Sequence, residues 1–328
     1  MNILDQEILS FDREEAVKKI VAGIRENLRR LRKRGLIIAI SGGIDSSVSA
    51  ALCVEAIGKD RVYGLLLPEH DSSSESISKG EVVAQHLAIK YEIKNIAPIL
   101  EAAGCYQSRD EAMKRTIPEY ESHWKSKIAI SGGSEGLANY FNLVVQTPDG
   151  ELREEKMALQ EYLTVIAATN YKQRVRKMIE YFHADRLNYA DIGTPNRLEY
   201  DQGFFVKNGD GAADIKPIAH LYKSQVYALA EHLGLPADVC NSLPTTDTYS
   251  LPQGQDEFYF SLDYKKMDVA LWCYNNKKDS AFLARALEVD LNAAEYIYKD
   301  IENKRKTTAP LHWRALTIET VDGPILAP

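Results

Sequence analysis

Leu36-Ile37-Ile38-Ala39-Ile40-Ser41-Gly42-Gly43-Ile44-Asp45-Ser46-Ser47 is the stretch on which the reading of this chain turns. Its first five residues are apolar at every position, as a strand in the centre of a parallel sheet covered on both sides requires. The glycine pair that follows lets the backbone fold tightly, so that successive N–H groups converge on one anion. A helix of small residues, expected over about Val48 to Ile57, brings the positive end of its dipole to the same point. Ser41, Ser46 and Ser47 add hydroxyl donors, which suits a pyrophosphate. Neither GxxxxGK[ST] nor GxGxxG is present. An aspartate inside a phosphate loop repels the ligand unless a cation lies between them, so Asp45 implies Mg2+. The bland alternative is a tight strand–helix turn capped by Asp or Ser.

Upstream, Val17, Ile20, Val21, Ile24, Leu28 and Leu31 make one apolar stripe at helical spacing, with Gly35 as the expected stop. Downstream, Arg61 to Leu67 is an expected strand, the polar run HDSSSES a loop, Lys79 to Lys90 a helix and Tyr91 to Ile96 a strand. This alternation predicts an α/β fold: a doubly wound parallel sheet flanked by helices, with ligands at the carboxyl ends of its strands. Residues 101–160 break the rhythm with short polar stretches and one hairpin-like feature, Leu143-Val144-Val145 before Pro148-Asp149-Gly150. We read them as an insertion or lid inside a single domain spanning 1–328. A long helix is expected from Tyr162 to His183, a strand from Leu187 to Ile192, and a helix from His220 to Leu233 that Gly234 and Pro236 terminate. The C-terminal part reads as helical. The second AISGG, at Ala129 to Gly133, lacks the aspartate-serine pair and is not a repeat.

Bulk properties exclude several classes. The 328 residues are 45% hydrophobic and 27% charged, ordinary for a soluble chain. Forty Lys and Arg against 47 Asp and Glu give a formal charge of −7, so no nucleic-acid partner is expected, although a local basic pocket is compatible with that balance. Cys53, Cys105, Cys240 and Cys273 lie far apart without metal-ligand spacing and read as free thiols of a reducing compartment. The acidic start MNILDQEILSFDREE lacks the layout of a signal peptide, and no window approaches the roughly 20 apolar residues of a spanning helix. A cytoplasmic protein is expected.

SGG-x-DS after a hydrophobic strand resembles the signature of the ATP pyrophosphatases, whose fold is adenine nucleotide alpha hydrolase-like. The resemblance implies cleavage of ATP between its α- and β-phosphates. Further segments resemble the NAD synthetases within that group: Gly193-Thr194-Pro195-Asn196-Arg197-Leu198-Glu199, then Gly203-Phe204-Phe205-Val206-Lys207-Asn208-Gly209-Asp210-Gly211-Ala212-Ala213-Asp214. Lys216-Pro217 with Leu221-Tyr222-Lys223, the helix with Arg174 and Arg176, Pro244-Thr245-Thr246-Asp247, Asp256-Glu257 with Asp268, and Lys304-Arg305 continue it. The likeness covers roughly residues 12–95 and 161–312.

The resemblance implies roles. Asp45 and Glu199 would share Mg2+. Ser41, Gly42, Gly43, Ser46, Ser47, Thr194, Lys223 and Thr245 would contact ATP, and Asp45, Asp210 and Lys223 would serve the reacting centre. Arg174, Lys207, Asp214, Lys304 and Arg305 would hold the acid-bearing dinucleotide; a guanidinium fork suits a phosphate or carboxylate. Read alone, Glu199 is first a solvated loop carboxylate; the plain readings of Lys223 and of Gly209-Asp210-Gly211 are a surface lysine and a turn. The implied substrates are ATP, deamido-NAD and ammonia, in a homodimer. The first strand begins at Leu36, with no room before it for the amidase domain of glutamine-using members, so free ammonia or a separate amidase subunit is the expected donor. Two alternatives stay open: an amide ligase for another carboxylate, with Pro195 and residues 101–160 reshaping the acceptor pocket, and a nucleotide-binding protein without turnover.

Overall fold

In the computed structural model, which describes residues 8–131, 140–242, 244, 249–254, 259–260 and 262–319, the apolar runs pair as one parallel sheet. With elements numbered in chain order, β1 (Leu36–Ala39), β2 (Val62–Leu66), β3 (Lys90–Ile93) and β7 (Ala190–Ile192) lie in the order β3-β2-β1-β7. Ile38 pairs with Gly64 on one side and Ile192 on the other. Leu36, Ile37 and Ile38 are fully buried, because each face of β1 packs into a different core. Leu36 and Ile38 meet α1 (Arg13–Arg30), α2 (Ile44–Ile57) and α8 (Lys223–His232) through Ile24, Leu52 and Leu229. Ile37 joins Leu65, Leu100, Val175 and Ile179 on the other face, beneath α6 (Leu159–Leu187). Each such buried aliphatic side chain contributes roughly 1.5–3 kcal/mol. Chain order reverses between β1 and β7, so the crevice beyond their carboxyl ends is the switch point where ligands bind in such sheets.

Helix boundaries differ from the expectations in one instructive way. α2 starts at Ile44, which puts Asp45, Ser46 and Ser47 inside its first turn; α3 (Ser74–His86) likewise starts within the polar run, because Ser73 caps it by accepting from Ser76 N–H at 3.0 Å. Polar first-turn residues masked both starts. α1 stops at Arg30, before Gly35, and α6 runs on to Leu187, so β7 begins only at Ala190. The expected helix from His220 begins at Lys223.

Residues 101–160 fold as more than a hairpin. α4 (Ala97–Ala102) and α5 (Cys105–Thr116) precede a three-stranded antiparallel sheet, β4 (Lys125–Ser131), β5 (Tyr140–Gln146) and β6 (Leu152–Lys156). The expected turn at Pro148-Asp149-Gly150 joins β5 to β6, closed by Thr147 N–H to the Glu151 carbonyl at 3.0 Å. Ile128, Leu143 and Val145 pack on Met113, Ile117 and Tyr120 in a core of their own. Among the described residues the remaining α-helices are α7 (Arg197–Gln202), α9 (Ala237–Cys240), α10 (Tyr264–Asn275), α11 (Ser280–Leu287) and α12 (Leu291–His312). α10 to α12 share a core of Leu271, Leu283, Leu287 and Ile301. Among the described residues no helix is long and apolar enough to cross a membrane, and all four cysteines are free.

Candidate active site

A cleft of ≈ 2110 Å³ opens at the carboxyl ends of β1 and β7. On its floor the bend after β1 is tied by its own serines. The Ser46 hydroxyl donates to the Gly43 carbonyl at 3.0 Å and lies 3.1 Å from the Ser41 hydroxyl, and Gly43 N–H reaches Ser41 Oγ at 3.3 Å. Gly42 adopts φ +81°, and a Cβ there would lie 2.5 Å from the Ser76 carbonyl oxygen, so the site admits glycine for two reasons. No side chain caps the N-terminus of α2, which leaves its first N–H groups directed at the cleft. Ser47 is fully buried and spends its hydroxyl on the Gly43 carbonyl at 2.8 Å.

Asp45 and Glu199 approach the cleft from beyond the neighbouring parallel strands β1 and β7 and meet around two buried side chains. Lys223 Nζ donates to Asp45 Oδ2, and Asn196 Nδ2 donates to Asp45 Oδ1 at 3.1 Å. Asn196, fully buried, also caps α7: its Oδ1 accepts from Leu198 N–H at 2.9 Å and Glu199 N–H at 3.2 Å, while its own N–H donates to Glu199 Oε2 at 3.1 Å. One asparagine therefore fixes both carboxylates. Burial opposes the charge of Lys223, but Asp45 and Glu199 outweigh it and hold the ammonium above the usual lysine range. Asp268 anchors the helix that presents this lysine, accepting from Lys223 N–H at 3.1 Å and Ser224 N–H at 2.6 Å. Burial lifts Asp268 to about 7 against the pull of those hydrogen bonds.

The other residues named from sequence distribute unevenly. Ser41, Gly42, Gly43, Asp45, Ser46, Thr194, Glu199 and Lys223 line the cleft, as do Arg174, Lys207, Asp210 and Lys304. Arg174 Nε donates to the Lys207 carbonyl at 3.3 Å, and Lys207 Nζ to the Pro310 carbonyl at 2.8 Å. Asp210 accepts from Val206 N–H at 2.7 Å, and burial raises its carboxyl above the usual range. Lys304 bridges the Tyr259 carbonyl and Asp300, at 2.8 and 2.6 Å. Asp214 instead accepts Asp191 N–H at 2.8 Å, outside the cleft lining, and Arg305 clasps Asp201 with two hydrogen bonds of 2.6 and 2.7 Å beside a separate depression of ≈ 590 Å³. Thr245 lies outside the described residues.

Sequence reasoning missed the part of Asn196, although Asn-x-x-Glu is the signature of a capping box and signalled it. It also missed a buried ion cluster on the rim. Lys172 of α6 meets Asp71 at 2.5 Å and Glu69 at 3.1 Å, and Arg109 of α5 meets Asp71 at 2.6 Å. No spacing in the chain signals it, since its members come from three separate segments. Despite burial, the two cations hold Asp71 below the usual carboxylate range.

Parallel strand order, a serine-tied glycine bend at the switch point and a carboxylate pair tied by one asparagine above it define an adenine nucleotide alpha hydrolase-like fold. The comparisons specify which. The family model described as NAD synthase matches residues 16–121 and 141–310, and the chain belongs to that family of carbon–nitrogen ligases. The "NH(3)-dependent NAD(+) synthetase" of Rhizobium meliloti is 50% identical over 321 residues, covering 98% of this chain and 96% of that protein. Its namesake from Thermotoga maritima is 34% identical, covering 80% and 88%. Among solved structures, an NH3-dependent NAD synthetase from Campylobacter jejuni shares the fold with a TM-score of 0.63 at 22% identity, covering 94% of this chain and 100% of that one.

Proposed function

We propose that this chain makes NAD from deamido-NAD by ATP-dependent amidation with ammonia. The observation that carries the reading is the Asp45–Lys223–Asn196–Glu199 arrangement over an uncapped helix N-terminus, in a chain half identical to synthetases of that name. The nicotinate carboxylate attacks the α-phosphorus of ATP, the bond to the bridging oxygen breaks, and pyrophosphate leaves with that electron pair. The lone pair of ammonia then attacks the acyl carbon of the acyl-adenylate, AMP departs, and the amide sheds a proton. No side-chain nucleophile is required, so catalysis rests on positioning and charge neutralisation.

In this reading the serine-tied bend and the first N–H groups of α2 receive the departing pyrophosphate. Lys223, held charged by its two carboxylates, neutralises charge developing on the phosphates. Thr194 and Thr245 contact ATP. Arg174, Lys207 and Lys304 suit the phosphates and carboxylate of the dinucleotide, and Asp210 faces the reacting centre. Asp214 and Arg305 act through the segments they hold. Asp45 and Glu199 would hold Mg2+, which supplies charge neutralisation between phosphate oxygens. Two carboxylates beside a phosphate site fit that ion, which takes one or two of them and completes its shell with phosphate and water. Exposed Leu163, Met178 and Phe182 along α6 suit the contact face of a homodimer. Four free thiols suit the cytoplasm, and the ammonia comes free or from a separate amidase.

Incubating the protein with ATP, Mg2+, ammonium and deamido-NAD, and following AMP and NAD, tests the reading. Equal amounts of both are expected. AMP release only with another carboxylic acid would reassign the acceptor, and nucleotide binding without AMP would remove the activity altogether.

A further inference from the structure

Two rims of the cleft are held in part by the 101–160 unit, the first together with Lys172 of α6. On the first, Arg109 of α5 grips Asp71 in the loop after β2. On the second, the segment Tyr249–Gln253 lies along β4. Ser126 N–H donates to Ser250 Oγ at 2.9 Å, Leu251 N–H donates to the Ser126 carbonyl at 3.1 Å, and Gln253 Nε2 donates to the Ile128 carbonyl at 2.7 Å. Tyr249 inserts into the same core as Ile128, Leu143 and Val145. Tyr249, Ser250, Pro252 and Gln253 all line the cleft on their other side.

A five-residue wall without a helix or strand of its own has little to hold it in place. Here it has three hydrogen bonds to one strand and a buried aromatic anchor. Gln253 is 2% exposed, so its bond to the Ile128 carbonyl is shielded from water, and losing it would leave a buried carbonyl unpaired. We propose that the β4–β5–β6 sheet is an anchor that sets the position of this cleft wall before substrate arrives, and that Tyr249 and Gln253 are positioning residues for the ligase reaction. The unit thereby contributes to ground-state recognition while leaving the chemistry to Asp45, Lys223 and Glu199.

The inference rests on the proposed activity only in its kinetic arm. In the ligand-free protein, amide hydrogen exchange should show the Leu251 N–H protected, and Gln253→Leu should speed its exchange about fivefold or more, the change that a loss of about 1 kcal/mol converts to. In turnover, at a temperature where the variant is fully folded, Gln253→Leu should raise KM for deamido-NAD or ATP by about tenfold while kcat at saturation stays within about threefold. Tyr249→Ala should act in the same direction, and Tyr249→Phe, which keeps the buried ring, should recover most of the KM loss. A Leu251 amide that exchanges freely without ligand and is protected only with it would overturn the proposal. So would a Gln253→Leu protein whose kcat falls while KM stays put. If deamido-NAD were not a substrate at all, the exchange experiment would still decide the anchoring.

Discussion

The parallel sheet and the antiparallel sheet of this protein both border the same cleft, yet they do so with opposite economies of charge. β1 is apolar on both faces, and the charges at its carboxyl end are few, enclosed and mutually bonded. β6 carries Arg153, Glu154 and Glu155 in five residues and is mostly exposed. A charge placed at the crevice has no water to compensate its loss, whereas a charge on β6 has water throughout. The proposed site therefore sits on the first sheet, and the surface of the second tolerates change.

Lys223→Met should break this contrast hardest. It leaves Asp45 and Glu199 facing one another without their shared cation, and loss of a preorganised positive charge at the phosphates should lower kcat/KM by about 10³-fold. The removal of one partner from so enclosed a pair should also cost roughly 3 kcal/mol of stability. Arg153→Ala on β6, which breaks an exposed pair with Glu151 at 3.1 Å, should change stability by less than about 0.5 kcal/mol and kcat/KM not measurably. Equal losses in the two variants, read by denaturant titration and steady-state kinetics, would end the distinction.

The same contrast explains what was legible in the sequence. The bend after β1 announced itself because burial forced an apolar run, and tight backbone approach forced glycine at Gly42. Strand alternation then placed Glu199 and Asp45 at one sheet edge. What stayed hidden was where side chains turn. Lys223 reads as a surface lysine because it stands at the first position of its helix, where burial depends on the neighbouring α10 and on Asp268. Asp214 and Arg305 sit in motifs that look uniformly like a binding site, but nothing in those motifs signals that their side chains hydrogen-bond Asp191 and Asp201. The antiparallel sheet was legible only at its turn and in Leu143-Val144-Val145 of β5: a strand such as Leu152–Lys156, exposed and charged, carries no burial pattern to read.

Two glycines with positive φ sharpen the comparison at the level of the backbone. Gly42→Ala meets both the left-handed strain and a carbonyl oxygen 2.5 Å away, and should cost at least about 2 kcal/mol and abolish turnover by displacing the bend. Gly150, at φ +91° in the β5–β6 turn, has nothing within 4 Å of a new Cβ. Gly150→Ala should therefore cost only the conformational strain, about 1 kcal/mol, with kinetics intact. Comparable stability losses would mean that strain alone, and not close approach, governs the bend.

Two buried carboxylates separate the regions by the sign of their pH dependence. Asp268, behind the crevice, is lifted to about 7 by burial, so the folded state keeps a proton that the unfolded chain has released above about 4. The folded state binds more protons in that window, and stability falls as pH rises through it, by at most about 1.4 kcal/mol per unit, before levelling above 7. Asp71, gripped by Lys172 and by Arg109 of the peripheral unit, is depressed instead, so its contribution is complete above the unfolded carboxylate value and is lost only as acid protonates it. Asp191 and Asp210 are raised by burial too, so the comparison is between curves: in denaturant titrations at pH 5, 6, 7 and 8 Asp268→Asn should remove its share of the fall in stability between pH 5 and 7, while Asp71→Asn lowers the whole curve without altering its slope. An Asp268→Asn curve that runs parallel to the wild-type curve from pH 5 to 7 would show that the carboxylate behind Lys223 is already charged at pH 5. Lys223 would then be held by three negative charges and not two.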